Sequence, residues 1–132
     1  MKPFHASIFL ALMLLFVKTT HAAQIQLSGN DPNLVAVEFS GEIKPADFDA
    51  LRRLIEPRLS TNNSFRWFLL NSNGGDVATA MKIGRYIRTL DFDTSVASNA
   101  HCLSSCVFIF AAGNNRSTSK NNLGIHRPFR TS

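Results

Sequence analysis

Gly74-Gly75, Ser104-Ser105, His101, His126 and the pair Cys102 and Cys106 carry the chemistry this chain could do. A Gly-Gly turn leading into a helix leaves first-turn N–H groups without intrahelical acceptors, and such donors can hold an oxyanion. Ser104 or Ser105, just ahead of an apolar helix, supplies a hydroxyl nucleophile where the helix N-terminus favours a developing alkoxide. His101 and His126 are the imidazoles able to act as a general base for either serine. The combination points to acyl transfer. Each piece also has a plainer use: a tight turn, a helix cap, a structural histidine.

These residues need elements to position them, and the pattern alternates strand and helix. Leu34 to Phe39 is a β-branched run after the Asp31-Pro32-Asn33 turn signal. Pro45 suits a helix start, and Phe48, Leu51, Leu54, Ile55 and Leu59 follow helical spacing until Pro57 disturbs the last turn. Arg66 to Leu70 is a second strand, apolar enough to be covered on both faces of a parallel sheet. Asp76 opens a second helix with Val77, Ala80, Met81, Gly84 and Ile87 on one stripe and Lys82, Arg85 and Arg88 largely on the other side. Thr94 to Ser98 is a third strand, Ser104 to Ala112 a short apolar helix, and Leu123 to His126 a last extended segment. The order implies right-handed crossovers and a parallel sheet, with function at the carboxyl ends of its strands.

The chain has 132 residues and a formal net charge of +5. Ile8 to Val17 is an unbroken apolar run behind Lys2, too short to span a bilayer, and a polar step ends it in small residues. That is the form of a secretory signal peptide, residues 1–22, with cleavage after Ala22 or Ala23. The mature part keeps about 110 residues and no stable membrane span. Losing Lys2 and Lys18 lowers the charge to +3, and the remaining arginines are scattered, so nucleic acid is excluded as a partner. Export to a periplasmic or extracellular space is the expected localisation, and it favours oxidised thiols. Spacing alone leaves Cys102 and Cys106 open between a disulfide and two half-buried thiols. No zinc-ligand spacing accompanies them, so no metal is expected.

The stretch from Trp67 to Phe129 resembles the proteolytic subunit of the Clp protease and its exported relatives within the wider crotonase-like fold. Leu70-Asn71-Ser72-Asn73-Gly74-Gly75 resembles the family's strand followed by N-S-P-G-G, with Asn73 in place of the proline. Cys102 to Gly113 resembles its nucleophile segment, a serine among small residues and an apolar helix ending in Ala-Gly. Ile125-His126-Arg127-Pro128 resembles its Ile-His-x-Pro.

The resemblance implies an α/β fold of the Clp-protease/crotonase type, a parallel sheet built from repeated β-β-α and β-α-β units, with residues 23–132 forming a partial domain incomplete at the C-terminus. It implies Ser104 as nucleophile, since Ala112-Gly113 sets the alignment, His126 as general base, and the backbone N–H groups of Gly75 and Ser105 as oxyanion donors. The substrate implied is a peptide or unfolded protein, with no cofactor; the family's rings make a homo-oligomer a further expectation. The family's orienting Asp lies well downstream of the histidine and has no counterpart here. Asp76, Asp91 and Asp93 are the nearest acids, and none matches it. Two rival readings are a noncatalytic binding or scaffold member of the fold and an inactive truncated fragment. A coenzyme A thioester enzyme is disfavoured by export and by the lack of a basic patch for its phosphates.

Overall fold

In the computed structural model the described residues are 23–60 and 62–126. The expected signal peptide and the segment from Arg127 onward lie outside them. The expected strands and helices are present, with three additions. β1 (Gln24–Ser28) precedes β2 (Leu34–Ser40), and α1 (Asp47–Ile55) ends where Pro57 begins a 3-10 turn, Glu56–Arg58. β3 (Phe65–Asn71), α2 (Val77–Thr89) and β4 (Asp93–Val96) follow. Then come β5 (Cys102–Leu103), α3 (Cys106–Ala111), β6 (Arg116–Thr118) and β7 (Leu123–Gly124).

One five-stranded sheet has the order β1-β2-β3-β4-β6. β2, β3, β4 and β6 are parallel, with Leu34 opposite Phe65, Trp67 opposite Asp93 and Thr94 opposite Arg116. β1 is antiparallel to β2, with Gln24 opposite Ser40. β5 and β7 form a separate parallel pair, and a bridge from Ser72 to Cys102 joins it to the end of β3. Among the described residues no helix is long and apolar enough to cross a membrane.

The period of two along the strands sends Val35, Val37, Phe39, Phe68 and Leu70 to one face, where they meet Leu51 and Ile55 of α1 and Ala80, Ile83 and Ile87 of α2 in one buried cluster. Phe68 lies at its centre, its ring 6.2 Å from those of both Phe39 and Phe92. The expectation that β3 is covered on both faces is corrected. Phe65 and Trp67 are 63% and 42% exposed, because they alternate onto the face opposite the helices.

The apolar stripe of α2 is corrected too. Thr79, Ala80, Ile83, Gly84 and Ile87 are its buried residues, while Val77 and Met81 are exposed. Asp76 caps the helix by accepting from the Thr79 N–H at 2.8 Å, and the buried stripe is rotated so that Thr79 and Ile83 take the places expected for Val77 and Met81.

Phe68→Ala removes a ring with no solvent exposure from the middle of this cluster. It is expected to lower the unfolding free energy by about 3–5 kcal/mol in urea melts; a loss below about 1 kcal/mol would show that the core does not close around it.

Candidate functional site

The end of β3 is organised by Ser72, which is 1% exposed. Its hydroxyl donates to the Gly41 carbonyl at 2.6 Å and accepts from the Gly74 N–H at 3.1 Å. Its backbone N–H donates to the His101 carbonyl at 2.8 Å, and its carbonyl accepts from the Leu103 N–H at 2.9 Å. One buried serine therefore ties the end of β2, the glycine turn and β5 together.

Both glycines of the turn have positive φ, +99° at Gly74 and +147° at Gly75. A Cβ at Gly74 would stand 2.9 Å from the Leu103 carbonyl oxygen and from the Ser104 Cβ, and one at Gly75 would overlap the Ile43 carbonyl oxygen. Ile43 is bonded on both sides of the turn: its N–H donates to the Gly74 carbonyl at 2.9 Å, and its carbonyl accepts from the Asp76 N–H at 2.9 Å. Only glycine permits this approach at both positions.

The facing wall is β5, the Ser104-Ser105 turn and α3. The alternatives left open for the cysteines resolve to a disulfide, Cys102–Cys106, with Cα atoms 5.3 Å apart and both residues buried. The helix expected from Ser104 begins only at Cys106, so both serines lie in the turn before it. Ser104 has φ +55°, a conformation that non-glycine residues seldom adopt. Its N–H donates to the Gly124 carbonyl at 2.7 Å, which links the turn to β7, and its hydroxyl has no hydrogen-bond partner among the described residues. Ser105 is 2% exposed, and its hydroxyl accepts from the Gly75 N–H at 2.8 Å and donates to the Gly75 carbonyl at 3.1 Å. The Ser105 N–H itself has no acceptor among the described residues.

β7 delivers Ile125 and His126 to the same place. A cleft of about 300 Å³ is lined by Val77, Ser104, Ser105, Val107, Phe108, Ile125 and His126. Ser104, Ser105 and His126 thus share one cleft, with Gly75 bonded to its wall. His101 is exposed and does not line it; its backbone is used to hold Ser72 and Asn71. The apolar lining was not singled out in the sequence. Exposed Val77 and Phe108 were readable only as helix positions until the phase of each helix was known.

The acids nearest in sequence are engaged elsewhere. Asp76 caps α2, and hydrogen bonding from Thr79 holds its carboxyl below the usual carboxylate range. Asp91 accepts from the Asn114 amide, and Asp93 accepts from the backbone and side-chain N–H groups of Asn115. None of the three lines the cleft. Among the described residues no group of three or more His, Cys, Asp or Glu could hold a metal ion.

The chain is a mixed α/β protein with a mostly parallel sheet and a serine- and histidine-lined cleft at the carboxyl end of its strands. No protein-family model matches it, and no curated protein does. Among solved structures it is similar to the "putative enoyl-CoA hydratase" from Streptomyces coelicolor A3(2), at 16% identity with a TM-score of 0.43. That match covers 89% of this chain and 50% of the other, so the chain spans half the length of the protein it matches.

The disulfide makes a direct expectation. Denatured protein carrying no reductant takes up no iodoacetamide, and reduction first gives two adducts by intact mass, on Cys102 and Cys106. Full alkylation without reductant would disprove the bond.

Proposed function

We propose that this chain is an exported serine-hydrolase-type domain of the Clp-protease/crotonase-like class that acts on peptides or unfolded protein segments. The observation that carries the reading is the left-handed backbone at Ser104, φ +55°, on a turn that shares a cleft with His126 beside the Gly74-Gly75 turn. A strained conformation at a serine in a cleft is a common companion of nucleophile function. Export is supported by the N-terminal pattern of Lys2, an apolar run and small residues, and it agrees with a disulfide as the state of both cysteines.

In this reading the Ser104 Oγ attacks the carbonyl carbon of a peptide bond while His126 takes the hydroxyl proton. The carbonyl oxygen becomes an oxyanion, held by the Ser105 N–H and the Gly75 N–H. Collapse expels the amine, which leaves with the proton from His126, and the acyl group stays on Ser104. Water, deprotonated by His126, then releases the acid and restores the serine. The apolar lining, Val77, Val107, Phe108 and Ile125, holds the substrate by burying apolar surface.

A fluorophosphonate reads the nucleophile directly. Its phosphorus is expected to be bound by Ser104 of the wild type and not by Ser104→Ala, with the site located by peptide mass mapping, and His126→Ala is expected to slow labelling by about 10²-fold or more. A folded wild type that takes no label at Ser104 would sink the hydrolase reading. Export is tested separately by N-terminal sequencing of the protein recovered outside the cytoplasm. The expected first residue is Ala23 or Gln24, and an intact Met1 would refute signal cleavage.

A further inference from the structure

We propose that the Ser105 side chain is a latch on this site: its hydroxyl occupies the Gly75 N–H in the resting protein and must turn away before that donor can meet a substrate. The inference rests on the hydrolase reading above and adds to it how the site is held closed. A serine hydroxyl has one proton and its lone pairs. Ser105 uses both kinds of capacity on a single residue, accepting from the Gly75 N–H at 2.8 Å and donating to the Gly75 carbonyl at 3.1 Å. An oxyanion arriving in the cleft therefore finds one donor ready, the Ser105 N–H, and the second already spent.

The surroundings leave the side chain of Ser105 as the part that can move. Gly75 is fixed against Ile43, whose carbonyl oxygen fills the space beside its Cα and whose backbone is bonded to Gly74 and Asp76. The segment bearing Ser105 is bracketed by the Cys102–Cys106 bond and by the Ser104 N–H to the Gly124 carbonyl. With both backbones held, a χ1 change between staggered wells is the motion that frees the Gly75 N–H. Ser105 itself lines the cleft, beside Ser104 and His126. Ser105 is 2% exposed, so water competes little for this hydroxyl in the resting protein.

Ser105→Ala keeps the backbone N–H and removes the latch. In phosphonylation the Ser104 oxygen bonds to phosphorus, fluoride leaves and the hydroxyl proton passes to His126, while the phosphoryl oxygen needs the same donors as an oxyanion. The variant is expected to label at Ser104 about tenfold faster or more, since one such donor is worth about 10²–10³ in rate. Ser105→Thr, which keeps the hydroxyl, is expected to label as slowly as wild type. Amide hydrogen exchange by NMR supplies a readout without reactivity: the Gly75 amide is protected in the wild type and loses that protection in Ser105→Ala. Labelling of Ser105→Ala at or below the wild-type rate overturns the latch and leaves the hydrolase reading standing. An unprotected Gly75 amide in the wild type overturns it whether or not the alanine variant folds. Absence of Ser104 labelling in both folded proteins overturns both proposals, and labelling of both with the alanine variant faster supports both.

Discussion

The close passage of Gly74-Gly75 between Ile43 on one side and Leu103-Ser104-Ser105 on the other is the constraint from which the rest of the site follows. Three backbone segments from distant parts of the chain meet there at close range. Such a meeting leaves backbone polar groups near one another and short of water, so each must find a partner. They do so across segments: Ile43 with Gly74 and Asp76, Ser72 with Leu103 and His101, and the Ser105 hydroxyl with Gly75. A methyl group at either glycine would push these segments apart and break several of those bonds together. The carboxyl end of β3 is thereby welded to β5 more by hydrogen bonds than by apolar packing.

The disulfide belongs to the same logic. A bond between residues four apart closes a very short loop, and the entropy it removes from the unfolded chain is small beside that of a long loop. Its contribution lies in geometry. It joins the strand residue before the Ser104-Ser105 turn to the first residue of α3, so the turn between them has little freedom to relax from φ +55° at Ser104. The Gly124 carbonyl restrains the same residue from the other side and brings β7, and with it His126, along. The order of the three motifs in the chain becomes adjacency in space through these few bonds.

How much of this was legible in the sequence depends on what kind of signal each part leaves. α1 shows hydrophobic period ended by Pro57, and β2 and β3 are short apolar runs, so their placement followed from pattern alone, though not the faces of β3. β6 is an exposed Arg-Ser-Thr segment with no such period, held by its place beside β4, and nothing local announces it. β1 does alternate, as Gln24-Ile25-Gln26-Leu27-Ser28, but it begins where the signal-peptide pattern ends and has no turn signal of its own before it. The convergence of Ser104, Ser105 and His126 on one cleft was accessible through the resemblance of three short motifs. The bond from Ser105 to Gly75 was not. It depends on which of two adjacent serines turns inward, and that is set by the left-handed residue before it, for which a Ser-Ser pair carries no mark.

The use of acids shows how the fold divides its resources. Asp76 follows the carboxyl end of β3 while Asp91 and Asp93 stand at the amino end of β4, and each is consumed in construction: one caps α2, and the other two hold the turns that lead into β6. The hydrogen bonding from Thr79 that lowers the Asp76 carboxyl keeps it an anion committed to its helix. A carboxylate bound to backbone N–H groups in this way is a poor candidate to swing toward an imidazole, since doing so would strip a helix N-terminus of its cap. The described residues therefore organise the cleft through main-chain geometry, with positive φ at Gly74, Gly75 and Ser104, and none of the three acids lines it. The proposed chemistry at such a site rests on N–H donors, on His126 and on the aim of one hydroxyl. The side chain of Ser105, a single rotor set among fixed backbones, is then the point at which the site can be opened or shut.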